Sequence, residues 1–126
     1  MVNATSLELG HGYGKMENLK AEEGPIAVQL FDHHPQAMAH AARRAEQAGA
    51  FLIDINMGCP VKFSVQGGMG AALLSKPERV KDILGTLVRN LPGVPVTCKI
   101  RLLDSAHDTL QLARAIQETG VAALAV

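Results

Sequence analysis

Short apolar runs alternate along the chain with longer segments in which apolar residues recur every three or four positions. The runs have the length of β-strands, and they occupy 26–31, 51–56, 94–101 and 121–126. The segments between them have the period of helices, and they occupy 35–48, 77–88 and 105–119. Strands that alternate with helices predict an α/β fold, in which βαβ units build a parallel sheet.

Residues typical of helix N-termini and C-termini lie at the ends of the helical segments. Pro35 lies in the first turn of the first helix, and Gly49 follows its last turn. Ser75 is expected to cap the second helix, and Asp104 or Ser105 the third. The inward-facing positions are predicted to be Val80, Ile83, Leu84, Leu87 and Val88 in the second helix, and Leu110, Ala113 and Ile116 in the third.

The remaining segments have weaker patterns. Residues 1–24 are predicted to be irregular, with a short helix around 16–22. Residues 57–70 are predicted to form a glycine-rich loop, and 71–74 to open a short helix.

Three strands carry polar side chains where a parallel sheet should be apolar on both faces. Because side chains alternate, each strand has one apolar face and one face with polar groups near its carboxyl end. Gln29, Asn56 and Lys99 are expected to converge there, with Arg101 on the same face. A shared polar ligand is one reading, and a closed hydrogen-bond network, with Lys99 paired to Asp54, is the other. Inward polar groups above an apolar interior favour a barrel over a doubly wound sheet.

Length and composition narrow the class of protein. The 126 residues suffice for one domain or part of one, and apolar residues make up 48% of them. The net charge is zero, which does not indicate nucleic acid or a membrane as partner and leaves a local basic patch open. No apolar run reaches transmembrane length, and the N-terminus lacks the apolar stretch of a signal peptide, so a cytoplasmic location is expected.

Cys59 lies in a loop, directly after the second strand, so its thiol is a candidate for chemistry. It could act as nucleophile, general acid or metal ligand, but no His or Cys lies at ligand spacing and no metal site is predicted. A cysteine thiol is mostly protonated at neutral pH and needs no neighbouring base to serve as general acid. Cys98, on an apolar face, is predicted to be a core residue, and the His33-His34 pair to be solvated surface.

Four sequence blocks together resemble the tRNA-dihydrouridine synthases: PIAVQLF, NMGCP, GGMGAALL and PVTCKIR, in that order. The resemblance implies a (β/α)8 barrel with FMN across its mouth, reduced by NADPH, and hydride transfer to C6 of a uracil in tRNA. It also implies that Cys59 protonates C5 and that Gln29 and Lys99 contact the flavin. Asn56 would lie near the flavin and the target base, and Arg101 would face the substrate with a weaker correspondence.

The resemblance places this chain in the middle of the barrel, from the end of strand two to strand six. Residues 1–126 would then be a partial FMN-binding domain, without the family's helical tRNA-binding domain, and self-association through open sheet edges is expected. Gly67, Gly68 and Gly70 either let the backbone approach tRNA or the site, or merely turn the chain. Two other functions stay open: another FMN barrel acting on a pyrimidine, of the dihydroorotate or dihydropyrimidine dehydrogenase kind, and an inactive half-barrel with a binding role.

Overall fold

The computed structural model describes residues 1–8, 19 and 24–126. Its strands are β1 (Val2–Asn3), β2 (Ala27–Phe31), β3 (Leu52–Asn56), β4 (Val96–Lys99) and β5 (Ala123–Ala125). Its α-helices are α1 (Ala4–Glu8), α2 (Pro35–Gln47), α3 (Lys62–Gln66), α4 (Pro77–Asn90) and α5 (Ala106–Gln117), and a 3-10 helix spans Gly70–Ser75. The predicted alternation of strands and helices is confirmed, and the strands are shorter than the apolar runs that predicted them.

The strands form one parallel sheet in the order β1-β2-β3-β4-β5, so each strand pairs with the next one along the chain. A doubly wound sheet reverses its strand order at a switch point, whereas a (β/α)8 barrel adds its strands in sequence. The observed order therefore fits part of a barrel. Within the described residues the edge strands are β1 and β5, and self-association through them stays a prediction.

The core lies between one face of the sheet and the helices. Val28, Leu30, Ile53, Ile55, Val96 and Cys98 are buried on the three central strands, as the alternation predicted. Helix α2 presents a stripe of alanines around Met38, and small side chains let this helix approach its neighbours closely. The opposite face of β2, β3 and β4 carries the polar side chains, together with Ala27, Phe31 and Leu52.

Two short segments correct the predicted elements. Helix α3 lies within 57–70, which was predicted to be loop. Five residues are too few for the hydrophobic period to reveal a helix. Strand β1 and helix α1 lie within the segment predicted to be irregular, and they are held by pairing with β2 and packing on α2. The helix predicted around 16–22 falls almost wholly outside the described residues.

Two predicted details of the helices are wrong. Lys76, not Ser75, is the N-cap of α4, because the 3-10 helix runs through Ser75, whose Oγ donates to the carbonyl of Ala72. Leu110 is 58% exposed, and the buried side of α5 is formed by Thr109, Leu112 and Ile116. The predicted cap at Ser105 is confirmed, since its Oγ accepts the amide of Asp108 at 3.0 Å.

None of the helices in the described ranges has the length and apolar content needed to cross a bilayer.

Candidate active site

A row of polar side chains crosses β2, β3 and β4 on the face away from the helices. The register places Gln29 opposite Asp54, and Asp54 opposite Thr97. One carboxylate oxygen of Asp54 accepts from Nε2 of Gln29 at 2.7 Å, and the other accepts from Oγ1 of Thr97, also at 2.7 Å. Asp54 therefore ties the three strands together, and it leaves no oxygen without a partner.

This pairing corrects one reading of the polar face. The polar groups do form a hydrogen-bond network, but the predicted pair of Lys99 and Asp54 is wrong, because both oxygens of Asp54 are engaged by Gln29 and Thr97. Lys99 is exposed, and within the described residues its ammonium group makes no hydrogen bond or ion pair. The network closes around Asp54, and the ammonium group stays outside it.

Asn56 joins this network to the turn that carries the cysteine. Its Nδ2 donates to Oε1 of Gln29 at 3.5 Å, so the two ends of the Gln29 amide face Asp54 and Asn56. Its Oδ1 accepts the backbone amides of Gly58 at 3.1 Å and Cys59 at 3.0 Å. A side-chain oxygen that accepts amides two and three residues ahead stabilises a tight turn. Asn56 thereby sets the direction in which the chain leaves β3.

The carbonyl side of Cys59 is held by the glycine segment. The amide of Ala71 donates to the carbonyl oxygen of Cys59 at 2.9 Å. Gly70 has a φ of +57°, and a Cβ built on it would lie 2.6 Å from that same oxygen. Only a glycine fits this close approach, which favours the reading that the segment folds over the site. At Gly67 the close contact is the flexible end of Met69, so the same argument does not apply there.

Four of the predicted site residues line one cavity. The cavity has a volume of about 290 Å³, and it is bounded by Asn56, Gly58, Cys59, Lys99, Ile100 and Arg101. Gln29 does not line it, and it is connected to it through the hydrogen bond to Asn56. Cys59 is half-buried, whereas Lys99 and Arg101 are exposed. The structure thus brings a thiol, an amide and two cations to the carboxyl ends of β3 and β4.

The second cysteine has a different environment. Cys98 is 1% exposed in the apolar core, as predicted. Burial, with a further contribution from the charge of Asp54, raises the pKa of the Cys98 thiol to about 12. This thiol stays protonated and shielded at physiological pH, so Cys59 is the candidate for chemistry.

Sequence reasoning missed a second polar group, at the end of β2. Asp32 is 1% exposed, and it accepts the amides of Thr5 at 2.8 Å, His33 at 2.7 Å and His34 at 3.1 Å. Burial alone would raise the pKa of Asp32, but these hydrogen bonds together bring it below its usual value. The signal in the sequence was an acidic residue directly before the histidine pair. The expectation of a solvated pair fits His34, which is 57% exposed, and fits His33 in part, since its side chain is 38% exposed while its Nδ1 is buried.

Comparison with known proteins gives one consistent family. The family model described as "Dihydrouridine synthase (Dus)" matches residues 1–126. The chain is 38% identical over 122 residues to the probable tRNA-dihydrouridine synthase 1 of Synechocystis sp., covering 95% of this chain and 34% of that protein. It is 46% identical over 107 residues to tRNA-dihydrouridine synthase B of Xanthomonas campestris, covering 83% and 32%.

A eukaryotic relative gives a similar match. The chain is 41% identical over 109 residues to the tRNA-dihydrouridine(20) synthase of Schizosaccharomyces pombe, whose name adds NAD(P)+; the match covers 83% of this chain and 22% of that protein. The chain therefore spans about a third or less of the length of these relatives.

Proposed function

Because the chain belongs to the dihydrouridine synthase family, we propose that this protein reduces uridine to 5,6-dihydrouridine in tRNA. The relatives named above are tRNA-dihydrouridine synthases, and they support tRNA as the substrate. With that substrate we expect the protein to act in the cytoplasm. The observation that carries the proposal is the shared cavity of Cys59, Asn56, Lys99 and Arg101 at the carboxyl ends of adjacent parallel strands, where barrel enzymes place their chemistry.

The residues present fit the flavin of this family, which we propose to be FMN. Lys99 offers an exposed ammonium group with no anionic partner in the described residues, at the edge of the cavity. A cation suits the N1–O2 edge of a flavin, where reduction places negative charge. Gln29, whose amide is oriented by Asp54 and Asn56, is the second proposed contact. The chemistry such a cofactor supplies when bound is hydride transfer to the uracil ring, with NADPH as the reductant.

Cys59 is the proposed proton donor. Dihydrouridine formation adds a hydride at C6 and a proton at C5. We assign the proton to the thiol of Cys59, which lines the cavity beside Lys99. Its backbone is held on the amide side by Asn56 and on the carbonyl side by Ala71. Placing the acid by backbone contacts is the kind of preorganisation that general acid catalysis needs.

Two residues are proposed to contact the substrate. Asn56 is engaged through Oδ1 in the turn, and its Nδ2 points towards Gln29 and the sulfur of Met1. Arg101 is exposed at the rim of the cavity, and an exposed guanidinium group there suits a phosphate or a base edge of tRNA.

The test compares the two cysteines in the full-length protein. Cys59→Ala should lower the rate of dihydrouridine formation in tRNA by roughly 10²–10⁴-fold, the usual contribution of a general acid. Cys98→Ala is the matched control, because it removes a core thiol outside the cavity, and it should retain activity. Dihydrouridine is measured by mass spectrometry of digested tRNA, with NADPH supplied.

Two outcomes would contradict the proposal. Unchanged tRNA reduction by Cys59→Ala would remove the proton-donor role. Reduction of a free pyrimidine, with no product in tRNA, would favour the dehydrogenase alternative. Bound flavin is read from its visible absorbance in each variant, so that loss of cofactor is not mistaken for loss of the acid.

A further inference from the structure

Three side chains with metal-ligating atoms come together directly after β2. The donor atoms of Asp32, His33 and His34 all lie within 4.8 Å of one another. The Nδ1 atoms of His33 and His34 lie 3.7 and 3.2 Å from Oδ1 of Asp32. Ligands held about 2.0–2.1 Å from one tetrahedral zinc ion lie about 3.3 Å from each other, so these distances are close to those of a formed site.

From this geometry we propose that Asp32, His33 and His34 bind a divalent transition-metal ion of the zinc type. Two imidazoles and one carboxylate are a common donor set for such ions, and they leave further coordination positions to water or an external ligand. None of the three residues lines the cavity of Cys59, so this site is separate from the proposed function.

One of the three donor atoms has no hydrogen-bond partner. Nδ1 of His33 is buried and makes no hydrogen bond. A buried polar atom without a partner costs about 1–3 kcal/mol, and native proteins leave few of them. A metal ion between His33 and Asp32 would satisfy it. Oδ1 of Asp32, the oxygen such an ion would use, already accepts the amides of His33 and His34 and lies within hydrogen-bond distance of Nδ1 of His34, a contact that the ion would replace.

Hydrogen bonds to the second oxygen orient the carboxylate of Asp32. Oδ2 of Asp32 accepts the amide of Thr5 at 2.8 Å and Nδ2 of Asn3 at 3.3 Å, so Oδ1 is the oxygen on the side of the histidines. Hydrogen bonds that orient a ligating group are typical of metal sites, and they reduce the reorganisation that binding requires. The two imidazole rings lie side by side, with centroids 3.8 Å apart.

Surrounding charge determines which ion fits. Lys76 and Arg79 interact electrostatically with His33, and the N-terminus of α2 adds partial positive charge. This positive potential opposes any cation, and it disfavours most an ion held mainly by charge, such as Mg²⁺. Zn²⁺ and Co²⁺ form strong bonds to imidazole, so they are the ions expected to bind here.

The experiment titrates the purified full-length protein with Zn²⁺ by calorimetry and with Co²⁺ by visible absorbance. We expect one ion per chain at this site and no binding of Mg²⁺. His33→Ala and His34→Ala should each lower the association constant at least about tenfold, because each removes a ligand. His40→Ala is the matched control, since His40 is exposed on α2 and belongs to no such group.

Folding and competing ligands are controlled separately. His34 is 57% exposed, so its replacement should not unfold the protein, and circular dichroism checks this. Cys59→Ser should leave Zn²⁺ binding intact. The proposal is overturned by the absence of binding, by equal affinity of His33→Ala, His34→Ala and the parent protein, or by loss of binding in Cys59→Ser, which would assign the ion to the thiol.

Discussion

Replacing Gly70 by alanine is the sharpest test of how the fold positions Cys59. The new Cβ would lie 2.6 Å from the carbonyl oxygen of Cys59 and 3.1 Å from its Cβ. Backbone atoms cannot rotate away as the end of a side chain can, so the backbone at Gly70 and the backbone at Cys59 must move apart. The separation stretches the 2.9 Å hydrogen bond from Ala71 to Cys59. The left-handed φ of +57° adds strain for any residue with a Cβ.

Each of these effects has a known size. The left-handed conformation costs roughly 1–2 kcal/mol for alanine. Overpacking costs about 1–3 kcal/mol, and a lost hydrogen bond about 1 kcal/mol. We therefore expect Gly70→Ala to lower the free energy of unfolding by about 3 kcal/mol or more. Because a displacement of about 1 Å can cost 10²-fold in rate, activity should fall more than stability alone explains.

Gly68→Ala is the matched control, from the same loop. Gly68 has a φ of +74°, but a Cβ there would meet only His33 Cγ at 3.9 Å, which is ordinary contact. The two variants share the backbone strain and differ in the clash, so Gly70→Ala should be less stable by about 2 kcal/mol. Urea unfolding measures the difference, and dihydrouridine formation measures the displacement of Cys59. Equal stability and equal activity of the two variants would refute the positioning argument.

Three further predictions follow from the described contacts. At neutral pH iodoacetamide should modify Cys59 in the native protein, whereas Cys98, with a pKa of about 12, should react only after unfolding. Mass spectrometry identifies the labelled cysteine, and faster labelling of Cys98 than of Cys59 in the native protein would contradict this prediction. Asp54→Ala should cost about 1–3 kcal/mol in urea unfolding because it leaves donors on β2 and β4 without their acceptor. Asp54→Asn, which keeps one acceptor oxygen, should recover part of that loss, and equal recovery by Asp54→Leu, which has no acceptor, would show that the role is purely steric. Ser105→Ala should lower the free energy of unfolding by about 1 kcal/mol because it removes a helix cap, whereas Ser75→Ala should change it by no more than about 0.5 kcal/mol. A larger loss for Ser75→Ala than for Ser105→Ala would indicate that Ser75 is a cap after all.

The parts of the fold that the sequence predicted are those with long hydrophobic periods. The strands and helices from β2 to β5 were recovered because burial on a parallel sheet imposes an apolar face on every element. Helix α3 and strand β1 were not, because elements this short are held by their neighbours rather than by their own pattern. Leu110 shows that the hydrophobic period alone does not fix which face is buried: the same spacing fits two faces of α5, and packing on α4 and β5 buries the face of Leu112.

The convergence of polar groups was predictable, but their partners were not. Side-chain alternation and parallel register put Gln29, Asn56 and Lys99 at one end of the sheet. Which of them bond to each other depends on distances of a few tenths of an ångström, and the sequence does not encode those distances in any readable pattern. For the same reason the sequence left two readings of Gly67, Gly68 and Gly70, and it did not predict the close approach of Gly70 to the carbonyl oxygen of Cys59.

Asp54 accounts for the free ammonium group that we propose contacts the flavin. A carboxylate beside a lysine on adjacent strands would normally form an ion pair, and a paired Lys99 would present little positive charge to a ligand. Because Gln29 and Thr97 occupy both oxygens of Asp54, the carboxylate keeps its charge but has no oxygen free to accept a hydrogen bond from Lys99. Lys99 is then left with its charge directed to solvent and the cavity. The network therefore performs two tasks, since it orients the amide of Gln29 and keeps the ammonium group available for an anionic partner.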